Sequence, residues 1–218
     1  MKKLVGLLAL LLCLQVQAQQ APEFWNDIVA FKKADIAHPP IAHPILFVGS
    51  SSFTKWADVN SYFPGYPIVN RGFGGSTLLD VIRYTYDIIL PYKPKEIVIY
   101  CGENDFAYSD TVTANMVVNR FKTLFGMIRQ NLPDIPVYFI SIKPSPSRTH
   151  LMAKMKDANT QISTWLKKQK KAGFINVYDA MLNSDGQPKP EIFGDDRLHM
   201  NAQGYAIWQK LIQPYLIK

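Results

Sequence analysis

The chain has 218 residues, of which 24 are Lys or Arg and 17 are Asp or Glu, so its formal net charge at pH 7 is +7. With 48% hydrophobic residues it can bury one sizeable core, which argues against a disordered chain. The densest basic run, residues 167–171, ends a predicted helix and lacks an aromatic-basic binding motif, so no nucleic-acid partner is expected.

The first 18 residues have the pattern of a signal peptide. Two lysines precede an apolar run over residues 4–14, and Val16-Gln17-Ala18 has the small residues of a cleavage site. The run is too short for a stable membrane span, so we expect an exported protein whose single domain covers residues 19–218. Cys13 could mark a lipid anchor, although the large Leu12 before it disfavours one.

The rest of the chain alternates between apolar runs typical of strands and amphipathic runs typical of helices. A surface helix is predicted at 24–36, followed by strands at 45–48, 66–70, 96–101, 137–142 and 174–178. Three helices are predicted between these strands. The first begins with a capping box at Thr77 and extends to residue 89, and the second begins at a cap, Ser109 or Asp110, and extends to residue 128. The third runs from residue 151 to a C-cap at Gly173. Asn201 is expected to cap the last helix.

Strands that alternate with helices in this way predict parallel pairing and a three-layer α/β/α sandwich. Four of the five strands end in polar or glycine-rich residues: Ser50, Asn70, Gly102 and Lys143. Because ligands of open parallel sheets bind beyond the carboxyl ends of the strands, the loops that begin at these residues are expected to line one crevice.

Two segments carry residues for nucleophilic chemistry. The first predicted strand stops at Ser50-Ser51-Ser52, and a serine needs a base to become a good nucleophile. Near the end of the chain, Asp196 precedes His199 by three residues, a spacing that brings the two side chains together on a turn but not on a strand. The sequence therefore predicts that a serine meets this pair.

Four motifs, taken together, resemble the signature blocks of the SGNH (GDSL-type) hydrolases. They follow one another in the family's order, and the similarity extends from about residue 45 to residue 205. Where the family usually has Asp before the nucleophile, this chain has Ser50, as in a serine-rich subgroup. The motifs are Gly49-Ser50-Ser51-Ser52, Gly75-Ser76-Thr77, Gly102-Glu103-Asn104-Asp105 and Asp196-Arg197-Leu198-His199.

The resemblance implies a flavodoxin-like sheet and serine ester hydrolysis without a cofactor. By motif position, Ser51 is the expected nucleophile, His199 its base and Asp196 the partner of the imidazole. The resemblance also implies an oxyanion hole made by Gly75, Asn104 and the backbone N–H of Ser51. Donors fixed in this way around a developing oxyanion can each contribute about 2.7 to 4 kcal/mol.

Several alternatives remain open at this level. Asp195 lies four residues before His199 and could replace Asp196. Cys101 is the only thiol after the predicted cleavage site, but it lies in an apolar strand, which is typical of an inert buried cysteine. His38 and His43 lack a metal-ligand pattern, so no metal is expected.

Candidate substrate contacts follow the strand ends. Trp56, Phe73, Phe106 and Tyr108 could line a pocket or pack in the core, and Arg148 could meet a substrate or solvent.

The function expected from these observations is an exported esterase that removes a small acyl group such as acetyl, with a carbohydrate or another small-molecule ester as substrate. A lipid-directed acylhydrolase, such as a lysophospholipase or thioesterase, is the alternative enzyme. A catalytically silent carbohydrate-binding protein is the alternative from another class. No oligomeric state is predicted.

Overall fold

The structure is a computed structural model that describes residues 21–218. The predicted targeting segment, residues 1–18, and the anchoring alternative at Cys13 lie outside the described residues. Within residues 21–218, no helix combines the length and the apolar character that crossing a bilayer requires.

Five parallel strands form one sheet in the order β2-β1-β3-β4-β5, which confirms the predicted flavodoxin-like architecture. Because this order places the first strand inside the sheet, β1 is flanked by β2 and β3 and all of its residues are buried. The strands are β1 (Ile45–Gly49), β2 (Ile68–Gly72), β3 (Glu96–Tyr100), β4 (Val137–Ile140) and β5 (Ala172–Ile175).

Helices cover both faces of the sheet. They are α1 (Trp25–Ala37), α2 (Ser51–Thr54), α3 (Val59–Tyr62), α4 (Leu78–Arg83), α5 (Thr85–Ile88), α6 (Glu103–Tyr108), α7 (Ala114–Asn131), α8 (Met152–Leu166) and α9 (Ala202–Ile212). Single 3₁₀ turns occur at Leu90–Tyr92, Asp179–Met181, Pro190–Ile192 and Gln213–Tyr215, and a longer 3₁₀ segment spans Pro146–Leu151.

The core consists of two apolar clusters, one on each face of the sheet. Alternate residues of β1 point to opposite faces, so Leu46 and Val48 belong to the first cluster and Ile45 and Phe47 to the second. The first cluster packs the sheet against α1, α4, α5, α7 and α8, and the second packs it against α2, α3 and α9. Both layers of helices are thus attached by buried apolar side chains.

The predicted caps are confirmed at two helices and wrong at a third. Thr77 and Asp80 form a capping box at the start of α4, and the Asn201 side chain accepts from two backbone N–H groups of α9. The cap of α7 is Thr113, and not Ser109 or Asp110, because its side chain accepts from the N–H of Met116.

Gly173 does not end a helix, which is the clearest error of the sequence prediction. The helix α8 stops at Leu166, and Gly173 lies in β5, paired with Tyr138 of β4. A Cβ atom at Gly173 would lie 2.8 Å from the Tyr138 ring, so the glycine is explained by close packing between strands.

The predicted helix over residues 78–89 is also wrong as a single element. It divides into α4 and α5 at Tyr84, whose φ and ψ of −100° and 12° are not helical. The Tyr84 hydroxyl donates to the carbonyl oxygen of Glu23, a contact between distant parts of the chain that helical spacing does not reveal.

Candidate active site

The loop after β1 presents one hydroxyl group. Gly49 has φ of 146°, and a Cβ atom there would lie 1.8 Å from the carbonyl oxygen of Tyr100, so only glycine fits this turn. Ser50 and Ser52 are each only 2% exposed, whereas Ser51, the first residue of α2, is half-buried. Of the three adjacent serines, Ser51 is therefore the one that faces the crevice.

His199 joins this hydroxyl to a carboxylate. Its Nε2 atom lies 2.8 Å from Oγ of Ser51, and its Nδ1 atom lies 2.6 Å from Oδ2 of Asp196. The other carboxylate oxygen of Asp196 accepts from the backbone N–H groups of Leu198 and His199, both at 2.9 Å. The structure thus brings the three predicted side chains together, and it is Asp196, not Asp195, that contacts the imidazole.

Asp196 is held in its charged form. Partial burial opposes its ionisation, but the hydrogen bonds from the His199 ring and from two backbone N–H groups outweigh that effect and lower the pKa of Asp196 well below its usual value. A carboxylate in this state can orient the imidazole and stabilise its protonated form.

The segment from Asp196 to His199 is a tight turn. Arg197 has φ of 55°, in the left-handed region, and its N–H donates to the carbonyl oxygen of Gly194. The carbonyl of Arg197 accepts from the N–H of Ser147 at 3.1 Å. The turn is thereby attached to the loop that follows β4.

The expected oxyanion donors are the backbone N–H groups of Ser51 and Gly75 and the side-chain amide of Asn104. As the first residue of α2, Ser51 has no intrahelical acceptor for its own N–H. Gly75 is exposed and has φ of 87°, which favours glycine. The amide of Asn104 donates one hydrogen to the carbonyl oxygen of Ser76 at 3.0 Å and keeps its second hydrogen for another acceptor.

Arg148 fixes the orientation of the Asn104 amide. Its Nη1 atom donates to Oδ1 of Asn104 at 3.1 Å, and because a guanidinium can only donate, the oxygen and nitrogen of the amide are assigned without ambiguity. Arg148 is thus placed at the site, as the sequence suggested, but it contacts an expected oxyanion donor.

A buried charged network lies under the site, and sequence reasoning did not find it. The ammonium of Lys143 is 0% exposed and donates to both oxygens of Glu103, at 3.0 and 3.3 Å, and to the carbonyl of Leu198 at 2.9 Å. The Tyr100 hydroxyl donates to Oε2 of Glu103, and Nη1 of Arg148 lies 3.2 Å from Oε1 of the same carboxylate. One signal was present in the sequence, because a lysine directly after an apolar strand needs a partner.

Glu103 is the centre of this network. Burial opposes its ionisation, but the charges of Lys143 and Arg148 outweigh the effect of burial and lower the pKa of Glu103 below its ordinary value. A single carboxylate therefore connects the residues around Asn104 to the turn that carries His199.

Asp105, the last residue of the motif Gly102-Glu103-Asn104-Asp105, has a structural role. It is fully buried, and its two oxygens accept from the N–H of Leu78 at 2.9 Å and from Arg120 at 2.7 Å. Burial raises the pKa of this carboxyl, and Arg120 and the Leu78 N–H partly offset the effect. Asp105 thereby connects α4, α6 and α7.

Three of the aromatic residues expected to contact substrate are packed in the core instead. Trp56 is 0% exposed and stacks on Tyr205 in the second cluster, with 4.7 Å between ring centroids. Phe73 and Phe106 are 0% and 1% exposed and belong to the first cluster. Large rings next to the strand ends complete both clusters there, which leaves no free face for a ligand. Tyr108, by contrast, is 65% exposed.

The other candidates lie away from this arrangement. Cys101 is completely buried, and burial raises the pKa of its thiol well above the ordinary value, which disfavours a thiolate nucleophile. A cavity of about 680 Å³ opens near His43 and Lys93, before β1 and β3, and so at the opposite end of the sheet from Ser51. Among residues 21–218, no three or more His, Cys, Asp or Glu side chains are grouped to hold a metal ion.

Comparison with known proteins identifies the family. The model of the GDSL-like lipase/acylhydrolase family matches residues 47–207, and the chain belongs to this family. The match includes Ser51, Asn104 and His199. No curated protein matches the sequence.

Solved structures share the fold. A GDSL-like lipase from Bacteroides thetaiotaomicron is 20% identical, with a TM-score of 0.74 over 86% of this chain and 96% of its own. A Streptococcus pneumonia protein, provisionally described as a platelet activating factor, is 21% identical, with a TM-score of 0.76 over the whole of both chains. An acetyl-xylooligosaccharide esterase from a Geobacillus species is 14% identical, with a TM-score of 0.63 over 80% of this chain and 94% of its own. At these identities the similarity shows the fold alone.

Proposed function

We propose that this protein is an exported serine esterase that hydrolyses small acyl esters. The observation that carries the proposal is the continuous chain of short contacts from Ser51 through His199 to Asp196, 2.8 and 2.6 Å long, at the carboxyl end of β1. This geometry is the one that nucleophilic acyl transfer by a hydroxyl requires.

In the proposed reaction, Oγ of Ser51 forms a bond to the ester carbonyl carbon while Nε2 of His199 takes the hydroxyl proton. The negative charge moves to the carbonyl oxygen, where the N–H groups of Ser51 and Gly75 and the Asn104 amide donate hydrogen bonds. When the tetrahedral intermediate collapses, the ester C–O bond breaks and His199 gives its proton to the leaving alkoxide. Water then attacks the acyl-enzyme with His199 as base, which releases the acid and restores Ser51.

Two observations support the proposed substrate class: similar folds bear on the acetyl group and the carbohydrate, and the expected export bears on the carbohydrate. Related folds include an acetyl-xylooligosaccharide esterase and a carbohydrate esterase of family 3, although both are at most 16% identical. An exported enzyme would also meet carbohydrate esters outside the cell, and the signal-peptide pattern of residues 1–18 supports export. We therefore propose an acetyl ester, carried by a carbohydrate or a similar alcohol, as the substrate class.

The Ser51→Ala variant tests the proposed chemistry. With p-nitrophenyl acetate, the variant is expected to lose nearly all turnover and to keep the wild-type melting temperature. Ser52→Ala is the matched control, because its hydroxyl is buried and is not part of the proposed relay, and it should remain active. Full activity of Ser51→Ala would overturn the assignment, and a folded wild-type protein that binds carbohydrate without hydrolysing any ester would favour the binding-protein alternative.

A series of p-nitrophenyl esters separates the two enzyme alternatives. The proposal predicts the highest kcat/KM with acetate. A maximum at octanoate or longer chains would favour the lipid-directed acylhydrolase. Export is tested separately, by determining the N-terminal residue of the mature protein after expression with residues 1–18 present; cleavage after Ala18 is expected.

A further inference from the structure

An aromatic side chain from the segment before α1 lies beside the expected oxyanion hole. A Cβ atom at Gly75 would lie 3.6 Å from the ring of Phe24, which is only partly buried. A Cβ atom at the neighbouring Gly74 would lie 3.9 Å from the Cβ of Ser51. The Phe24 ring, the two exposed glycines and the half-buried Ser51 therefore form one continuous surface.

Several contacts hold Phe24 in this place. Its ring packs edge-on against Phe73, with 5.4 Å between centroids. The preceding residue, Glu23, accepts a hydrogen bond from Tyr84 through its carbonyl and one from the Tyr108 hydroxyl through its carboxylate, at 2.9 Å. Tyr108 ends α6, the helix that carries Asn104, so the segment is attached to the site from two directions.

The backbone of Phe24 is strained. Its φ and ψ of 64° and 4° lie in the left-handed region, which is unfavourable for a residue with a Cβ atom. Strained conformations persist where surrounding contacts enforce them, and they are common at functional sites. A glycine here would relieve the strain, but it would remove the ring.

The segments that carry Phe24 and His199 pack against opposite faces of the sheet. Phe24 packs against the first cluster, whereas Met200, the residue after His199, belongs to the second. Because His199 would protonate the leaving oxygen, the alcohol part of the ester is expected on its side of Ser51. The acyl part then extends toward Gly75 and the Phe24 ring.

We propose that Phe24 is the wall of the acyl site and restricts the enzyme to short acyl groups. This inference rests on the proposed esterase function and extends it, because it assigns acyl-length selection to a residue outside the four motifs. The ring occupies the space into which the chain of a longer acid would extend beyond Gly75, and its packing on Phe73 holds it there.

The test compares p-nitrophenyl acetate with p-nitrophenyl octanoate. Phe24→Ala is expected to raise the ratio of kcat/KM for octanoate to that for acetate by about tenfold or more, since a pocket discriminates by about this factor for each methylene that does not fit. Phe24→Trp, with a larger ring, should lower the ratio. Phe31→Ala is the matched control, because Phe31 also packs against the first cluster but contacts Arg71, and its ratio should equal that of the wild type.

Two outcomes would overturn the inference, and they can be distinguished. If folded Phe24→Ala and Phe24→Trp both keep the wild-type ratio, Phe24 does not select acyl length, although the esterase function stands. If the wild-type protein hydrolyses neither ester, the proposed function fails and this inference fails with it.

Discussion

The ammonium group of Lys143 donates to the carbonyl oxygen of Leu198 at 2.9 Å, directly before His199 in the chain. The same group is bound to Glu103, the neighbour of Asn104. The turn that carries the proposed base is therefore attached, through two buried charges, to the helix that carries an expected oxyanion donor.

Replacement of Lys143 by Met should impair both stability and turnover. It leaves Glu103 without its closest cation, and breaking a buried ion pair costs about 3 to 5 kcal/mol of unfolding free energy. It also releases the Leu198 carbonyl, so kcat should fall by between about ten- and a hundredfold as His199 loses its position. Urea denaturation and steady-state kinetics would measure the two effects.

Lys154→Met provides the matched control for this variant. Lys154 also donates to backbone carbonyls, those of Asp110 and Val112, but it lies on the surface away from the turn. Its kcat should match that of the wild type. A folded Lys143→Met protein with wild-type kcat would show that the Leu198 contact does not position His199.

Asp196 and Asp195 should differ sharply when each is replaced by Asn. Only Asp196 contacts the imidazole, and an asparagine there no longer stabilises the charged ring, so kcat is expected to fall by about 10³ to 10⁴. Asp195→Asn should stay within about twofold of the wild type, because the Asp195 side chain is exposed and does not contact the imidazole. Equal losses in the two variants would contradict the pairing seen here.

The Asn104 amide should act mainly in the transition state. Removal of one oxyanion donor lowers kcat by about 10² to 10³, and Asn104→Ala is expected to show this loss with little change in KM. Arg148→Met should cause a smaller decrease, because Arg148 orients the amide from its oxygen side. A change confined to KM would indicate that Asn104 binds the ground state instead.

Stability should decrease as the pH rises through neutrality because of Glu96. Its side chain is 0% exposed and accepts from the N–H of Ile217 at 2.9 Å; burial raises the pKa of Glu96 to about 7, which the Ile217 hydrogen bond opposes. The pKa of Glu96 is thus higher in the folded protein than in the unfolded chain, where it is about 4.3. The resulting contribution to the free energy of unfolding is fully present below pH 4.3 and is lost as the pH rises through 7.

Thermal unfolding of Glu96→Gln at several pH values tests this relation. The uncharged glutamine can still accept from Ile217, so the variant should gain about 3 to 4 kcal/mol over the wild type at pH 8 and only about 1 kcal/mol at pH 5. Glu191→Gln, at an exposed position, should show no such difference. A wild-type melting temperature that is constant from pH 5 to pH 8 would contradict the prediction.

The sheet could be predicted because its signal is local. β1 is an uninterrupted apolar run buried on both faces, and such runs separated by amphipathic helices specify a parallel sheet. The contact between Ser51 and His199 could also be predicted, because the motifs that contain them were expected at the same end of the sheet.

What the sequence did not reveal depends on contacts between distant residues. Gly173 resembles a helix end until the Tyr138 ring is known to lie against it. Trp56, Phe73 and Phe106 follow strand ends as pocket residues do, yet the clusters on both faces extend far enough to bury them. Phe24 lies in no motif, and only the fold of the segment before α1 brings it to Gly75.

The two apolar clusters hold different parts of the proposed machinery. The parts meet at Ser51, and below it they are connected by the salt bridge between Glu103 and Lys143. Substitutions in the helices on the Phe24 side should therefore alter the preference for acyl length. Substitutions on the α9 side should alter the rate of proton transfer by His199. Substitutions in the two layers that lie more than about 7 to 10 Å apart and share no contact should combine with nearly additive effects, whereas pairs that both contact Ser51 should not.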